Sequence, residues 1–335
     1  MSKITLAIDF GSAFTNIYMS GAGLVLSEPT VAAVSESEHG AVKFIGNEAK
    51  KLIGKTSKQT KIVFPVFEGE IVNEKVAVAV LGGFLKKIGV KSVFGLSALF
   101  SVSCGADANM IGKLKNVANE VGIKSAYFAE APVLSALGQG IPLSDSSPCF
   151  VIDMADGSTN IAGVTLDGVI VGLSVNFGAN KILTDIIDYV AEHNGLQIGL
   201  LTSERLKKEI GSLEDGDTLS AVVNGRDVGA GTPRAISLKA SDIYPAVKTY
   251  YDKISEIALS VLKKLPPEVS AEITHAGIYL SGQGASVYGL SKYYRDKFGM
   301  QINIAENPSY SVCLGGGIVI GNKDLIKRVV LDVGM

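Results

Sequence analysis

The chain has 335 residues, 47% hydrophobic and 19% charged, which is enough apolar mass for about two domains and too much for a disordered segment. The formal net charge is −2, from 31 basic and 33 acidic residues with no long basic run, so nucleic acid is not expected as the main partner. Three scattered cysteines (Cys104, Cys149, Cys313) and three scattered histidines (His39, His193, His275) give no CxxC pair and no zinc-ligand spacing, as suits a reducing cytoplasm. The first apolar run is cut by Asp9 and is too short for a secretion signal. No stretch reaches the ~18 apolar residues that span a bilayer. The expected location is cytoplasmic, with a membrane surface still open to it.

In chain order the elements alternate between strand and helix, which predicts an α/β architecture. Residues 4–9 read as a buried strand, Gly11-Ser12 as its turn and 15–19 as the returning strand. Asn73 is placed to N-cap a helix over 74–87 that Gly89 ends, and Asp107 to N-cap one running to about 122. Strands are expected at 99–103 and 125–129, then a small-residue helix to about 138. A second cycle opens near Phe150: a strand ending at Asp153, a turn at Gly157-Ser158 and a return over 159–166. Asn180 should cap a helix with Ile182, Leu183, Ile186, Ile187 and Val190 on one stripe, stopped by Gly195. A short helix over 201–210 ends at Gly211. Ser241 should cap a long helix that Pro266-Pro267 end. A strand at 277–280 then leads to a helix opening at Ala285.

The most informative feature is an internal echo. The run DFGSAFTN from Asp9 to Asn16 recurs loosely as DMADGSTN from Asp153 to Asn160, 144 residues downstream (153 − 9), close to half the chain. Each copy ends a strand in aspartate, turns on glycine and serine, and returns with Thr-Asn. Two similar α/β halves facing each other across a cleft would explain it. A nucleoside triphosphate needs backbone amides, small residues for close approach, and carboxylates around hydrated magnesium. Gly11, Ser12, Gly157 and Ser158 would supply the first two. Asp9, Asp153 and Asp156 would reach the metal through its waters. Either hairpin alone would pass for an ordinary Asp/Gly turn; the spacing of the pair favours the nucleotide. Gly282-Gln283-Gly284-Ala285 follows a strand and reads as a nucleoside clamp. Gly315-Gly316-Gly317 reads chiefly as a site of close helix packing.

These elements resemble the actin, sugar-kinase and heat-shock-chaperone ATPase superfamily, and over nearly its whole length the chain further resembles the MreB bacterial actins. The segments LSEPTV at 26–31, IGNEA at 45–49, GRD at 225–227 with GTP at 231–233, LSGQGA at 280–285 and IAENP at 304–308 look like that family's motifs in order. The resemblance implies an actin-like fold of two related halves flanking a nucleotide cleft. The first spans 1–145, with a small subdomain at about 33–66 and the C-terminal 314–335 packed back on it. The second spans 146–313, with a small subdomain at about 181–240.

ATP and Mg2+ are the implied ligands. The implied nucleotide-binding residues are Asp9, Gly11, Ser12, Ala13, Phe14, Asn16, Asp153, Asp156, Gly157, Ser158, Thr159, Glu204, Lys207, Gly282, Gln283, Gly284 and Ala285. Glu204 and Lys207, at i, i+3 spacing, would contact adenosine; their other reading is a solvated surface ion pair. Head-to-tail filaments of the chain with itself are implied, in cell shape or intracellular organisation. The rival readings are a small-molecule kinase of the same superfamily and a nucleotide-binding scaffold that does not polymerise.

Three departures bear on activity. Ala131-Pro132 stands where the family has Glu-Pro, so the glutamate that orients the attacking water is missing; Glu130, one residue earlier, is the candidate catalytic substitute. Phe14 replaces the family's hairpin asparagine. The second hairpin carries Ala155 and Asp156 in place of glycines. The family also lies on the inner membrane surface, and Val93 and Phe94, next to Lys91, are the candidate membrane loop. The same two residues would serve equally as core contacts of an ordinary loop.

Overall fold

The computed structural model describes residues 5–37, 40–90, 95–142 and 147–332. Val93 and Phe94 lie outside the described residues. The chain opens with β1 (Leu6–Phe10), turns tightly into antiparallel β2 (Phe14–Met19), and continues to β3 (Gly23–Pro29). A small three-stranded sheet follows, with β4 (Ala32–Ser35) between β5 (Val42–Ile45) and a later strand, and the short helix α1 (Gly46–Lys50) leads on to that strand, β6 (Thr60–Val63). The tight hairpin β7 (Val66–Phe67) and β8 (Glu70–Ile71) leads to α2 (Glu74–Lys87), β9 (Leu96–Val102), α3 (Ala108–Glu120) and β10 (Ile123–Glu130). The larger sheet has the order β10-β9-β1-β2-β3, with β9 parallel to β1 and to β10. Asn73 and Asp107 cap α2 and α3 as expected, accepting from the amides of Val76 and Met110.

Helix α4 (Ala131–Gly138) leads into the second half, where β11 (Cys149–Met154), β12 (Thr159–Thr165) and β13 (Gly168–Val175) repeat the opening meander. Then come α5 (Asn180–Asn194), β14 (Leu196–Gln197), α6 (Leu200–Ile210), β15 (Ser220–Asp227) and β16 (Pro233–Lys239), the three strands forming a second small sheet. The chain finishes the large sheet through α7 (Ala240–Leu262), α8 (Pro267–Ala276), β17 (Ile278–Ser281), a 3-10 turn at Gln283–Ser286, α9 (Leu290–Phe298) and β18 (Ile302–Ile304). Its order, β13-β12-β11-β17-β18, mirrors the first. Helices α10 (Ser311–Gly321) and α11 (Lys323–Val329) close the chain, and α10 packs along α4, β1 and β2.

Strand alternation aims the key carboxylates. In β1, Leu6 and Ile8 enter the core of the first half with Phe84, Phe100 and Phe128, while Ala7 faces the layer between the halves. In β11, Ile152 enters the core of the second half and Val151 faces that same middle layer. With a period of two, Asp9 follows Ala7 and Asp153 follows Val151, so both carboxylates point at the junction. The middle layer is closed by α4 and α10, whose backbones nearly touch: a Cβ on Gly315 would lie 1.8 Å from the Leu134 carbonyl oxygen, and one on Gly138 1.9 Å from that of Ser311. Close packing therefore accounts for the glycine cluster. Gly317 likewise presses on the Tyr18 ring.

Three boundaries differ from expectation. The N-cap of α5 is Ala179, and Asn180 is the first helical residue. The amides of Ala179 and Asn180 donate to the carbonyls of Ala155 and Asp156, so the second hairpin, in place of a side chain, satisfies the helix end. Helix α7 starts at Ala240, one residue before Ser241, because Asp242 accepts from the Lys239 amide and fixes the first turn. Ala285 sits in the 3-10 turn, and the α-helix begins only at Leu290. The turn is tightened by Gly282 at φ +81°, whose backbone lies against Met154.

Candidate functional site

The two hairpins build matching triads. Register pairs Asp9 with Asn16 and Asp153 with Asn160. Asp9 Oδ2 accepts from Asn16 Nδ2 at 3.4 Å and Asp9 Oδ1 from Ser101 Oγ at 2.7 Å. Asp153 Oδ2 accepts from Asn160 Nδ2 at 3.2 Å and Asp153 Oδ1 from Ser281 Oγ at 2.9 Å. Ser101 and Ser281 come from the parallel neighbours β9 and β17 and were missed in the sequence. Their one signal there is a serine near the end of a mostly apolar strand. Burial pushes both carboxyls above their ordinary range, Asp153 to about 6, with the charge of Asp9 adding to the effect on Asp153. The triads differ in their outer partners: Asn16 Nδ2 also reaches the Ser309 carbonyl at 3.5 Å, and Ser281 Oγ lies 2.6 Å from Ser135 Oγ. Asn160 Oδ1 accepts the Cys104 amide at 2.9 Å, whereas Asn16 Oδ1 is buried without a donor.

The hairpin tips abut. A Cβ on Gly157 would lie 2.2 Å from Ser12 Oγ, so only glycine fits between them. Ser12 Oγ in turn accepts the Gly69 amide at 3.0 Å, which brings the β7–β8 turn against both tips. Glu68 in that turn has φ +49°, a left-handed conformation that non-glycine residues seldom hold.

A cavity of about 130 Å³ lies between the hairpins. Asp9, Gly11, Ser12, Ala13, Phe14, Asn16, Asp153, Asp156, Gly157, Ser158, Gly282 and Gln283 line it, along with Ser101, Ser103, Gly69 and Ala131. It adjoins a wider cavity of about 420 Å³ whose wall includes Glu204, Lys207, Lys50 and Phe14. The second volume is in the range of small-molecule sites. Burial raises the Asp156 carboxyl while Lys207 opposes the rise; burial lowers the Lys207 ammonium pKa while Asp156 opposes the fall. Glu204 is paired with Lys50 at 2.8 Å and Lys208 at 3.1 Å. Burial would raise its carboxyl, yet the two lysines hold it below its usual value.

Four candidate residues are not brought to these walls. Thr159 is fully buried, its hydroxyl donating to the Phe177 carbonyl at 2.8 Å. Gly284 and Ala285 lie behind the clamp, where Gly284 packs on Met154. Glu130 turns away: Glu130 Oε1 accepts the Gly105 amide at 2.8 Å, and burial with this carboxylate nearby pushes the Cys104 thiol up to about 12. The next residue, Ala131, is the one that faces the cavity. Among the described residues no three His, Cys, Asp or Glu side chains converge to chelate a metal directly.

Two like sheets joined by crossing helices, with paired hairpins facing a common cleft, define an actin-fold protein. A family model described as MreB/Mbl protein matches residues 3–328, and the chain belongs to that family. The cell shape-determining protein MreB of Escherichia coli (strain K12) is 32% identical over 318 residues, covering 93% of this chain and 92% of the relative. The cell shape-determining protein Mbl of Bacillus cereus is 30% identical over 326 residues, covering 96% and 97%. Among solved structures, MreB5 of Spiroplasma citri bound to AMPPNP matches with a TM-score of 0.89 at 27% identity, covering 98% of each chain. Its ADP-bound form gives 0.90 at 27%, covering 96% of this chain and 97% of that one.

Proposed function

We propose that this protein binds Mg-ATP between its halves, 1–145 and 146–313, and polymerises into cytoskeletal filaments that act in cell shape. The observation that carries the reading is the facing pair of Asp–Asn–Ser triads at the tips of two abutting hairpins. AMPPNP and ADP in the S. citri relative support a nucleotide here. In this reading the amides of both turns and the hydroxyls of Ser12 and Ser158 receive the phosphates. Glu204 and Lys207 hold the adenosine, and Gly282 and Gln283 border it. Thr159, Gly284 and Ala285 act one layer back, by fixing the backbone that does the binding.

The residues fit magnesium held through its waters. Asp9, Asp153 and Asp156 surround the cavity without forming a direct chelate, and Asn16 Oδ1 is a buried acceptor in its wall that lacks a donor. A hydrated cation offers such donors, because magnesium keeps several of its waters. When bound, the ion would supply positive charge against the phosphates.

Self-association is supported by exposed apolar side chains in the small subdomain of the second half, Val222 on β15 and Val228 in the turn after it, and by the cell-shape names of the relatives. Attachment to an inner membrane surface through Val93 and Phe94 belongs to the same proposal. Its support is the run of Lys91, Val93 and Phe94 in the sequence.

Titration calorimetry tests the nucleotide. Wild-type protein should bind ATP more tightly with Mg2+ than without, and Asp156→Ala should weaken the Mg-dependent part by about 1–3 kcal/mol. No heat with wild-type protein overturns the reading. High-speed sedimentation and electron micrographs with ATP test the polymer: monomers at every nucleotide and salt condition would refute it. Vesicle co-sedimentation that is unchanged by V93S/F94S would remove this loop as the attachment.

A further inference from the structure

Helix α1 of the first half and helix α6 of the second meet over the wider cavity. Lys50 Nζ lies 2.9 Å from Glu204 Oε1 and 2.8 Å from Glu204 Oε2, so one ammonium spans both oxygens across the cleft. The same ammonium stands 5.4 Å from the centroid of the Phe14 ring, at the returning end of the first hairpin. Lys208, one turn along α6, holds Glu204 from its own side at 3.1 Å. Three elements are thereby tied together: the phosphate hairpin through Phe14, helix α1 through Lys50, and helix α6 through Glu204. Phe14 and Lys50 both line the cavity, and neither duty is explained by core packing.

We propose that Lys50 is a positioning residue that grips Glu204 across the cleft and couples closure of its mouth to retention of the nucleotide. The inference rests on the functional reading above, since Glu204 is there the adenosine contact. Exposed surface ion pairs contribute little. This pair joins residues 154 apart in sequence, on separate halves, and both side chains are largely covered, 28% and 22% exposed. Its effect falls on the balance between open and closed clefts. A ligand that needs the closed form loses apparent affinity in proportion to the closed fraction. The aromatic Phe14 gives Lys50 a second anchor, so the grip also orders the hairpin.

Two measurements on the full chain test this. Fluorescent labels at T56C, between α1 and β6, and A230C, in the turn between β15 and β16, both exposed and on separate halves, report closure by energy transfer without nucleotide. Stopped flow with a fluorescent ATP analogue and Mg2+ reports the dissociation rate. Lys50→Ala should lower transfer and raise dissociation roughly 3- to 10-fold, and Lys50→Arg should restore both. In a Glu204→Ala background, Lys50→Ala should change neither. Unchanged transfer and dissociation in Lys50→Ala would overturn the coupling. So would an equal rise in the Glu204→Ala background, since Lys50 would then be acting on the nucleotide directly. A wild-type protein that does not bind the analogue overturns the functional reading and the coupling together, whereas normal wild-type binding with no Lys50 effect overturns the coupling alone.

Discussion

Ser12 Oγ occupies the space that a side chain on Gly157 would need: a Cβ there would lie 2.2 Å from that oxygen and 2.6 Å from Ser12 Cβ. The two hairpins are thus set to a spacing at which both tips can address one group. Gly157→Ala should push them apart. Overpacking of this kind costs about 1–3 kcal/mol, and the widened tips should also weaken ATP binding. The double variant Ser12→Gly/Gly157→Ala removes the Ser12 clash, leaving the Glu68 Cα at 3.2 Å and the Gly69 amide without its acceptor, and should regain part of the stability without regaining affinity, because the hydroxyl is gone. Thermal melts and calorimetry on the set check this; a single Gly157→Ala variant with wild-type melting would show that the tips are free to separate.

Burial of the Asp153 carboxylate opposes folding near neutral pH. Its carboxyl rises from an unfolded value of 3.8 to about 6 in the fold, mainly through burial. Protonation therefore favours folding: that stability is fully present below 3.8 and is lost as pH rises through about 6. Above it, the buried charge destabilises the nucleotide-free protein by up to roughly 3 kcal/mol. Asp153→Asn removes the charge, and Ser281 can turn its hydroxyl to accept from the new amide. The variant should melt higher than wild type at pH 8, lose that advantage toward pH 4, and bind ATP with little dependence on Mg2+. Equal melting of the two proteins at pH 8 would contradict the burial argument.

The α4–α10 crossing makes a separate prediction. Because a Cβ on Gly315 would lie 1.8 Å from the Leu134 carbonyl oxygen, backbone and not a flexible side chain would have to yield. Gly315→Ala should cost about 3 kcal/mol or more in chemical denaturation, at the top of the overpacking range. Gly321→Ala, on the same helix with open space around it, should be nearly neutral and serves as the control.

The hairpin echo was legible in the sequence because each hairpin is local: aspartate, turn and asparagine lie within eight residues, and strand alternation fixes where they point. Ser101 and Ser281 were not legible as partners. They reach the aspartates across parallel pairings 92 and 128 residues away, and a serine within a mostly apolar strand does not announce its partner. Lys50 escaped for the same reason, since only the folded cleft sets α1 beside α6. The misplaced caps at Asn180 and Ser241 have a different cause. Hairpin carbonyls already satisfy the first helix end and Asp242 fixes the second, so the expected capping residue had no work to do. The glycine clamp was expected to admit a ligand; at both Gly282 and Gly284 the group in close approach is Met154.

The last prediction concerns hydrolysis. Water attacking a γ-phosphate must be held in line, and positioning contributes heavily to phosphoryl transfer. In this chain the strand β10 ends at Glu130 and α4 begins at Ala131, so the two side chains leave the backbone in different directions. The Glu130 carboxylate is engaged by the Gly105 amide, and the residue facing the cavity is an alanine that can neither accept from water nor polarise it. The hairpins are intact, so nucleotide binding should persist while turnover is slow. Ala131→Glu places a carboxylate on the cavity side and should raise phosphate release roughly tenfold or more, in line with the effect of single transition-state contacts, with little change in ATP affinity. Glu130→Ala should cost about 0.5–1.5 kcal/mol of stability through the lost amide bond and leave the slow rate where it was. Phosphate release measured on all three proteins decides the matter. A fast wild-type rate that Glu130→Ala abolishes would mean that Glu130 leaves Gly105 and swings into the cleft when nucleotide binds.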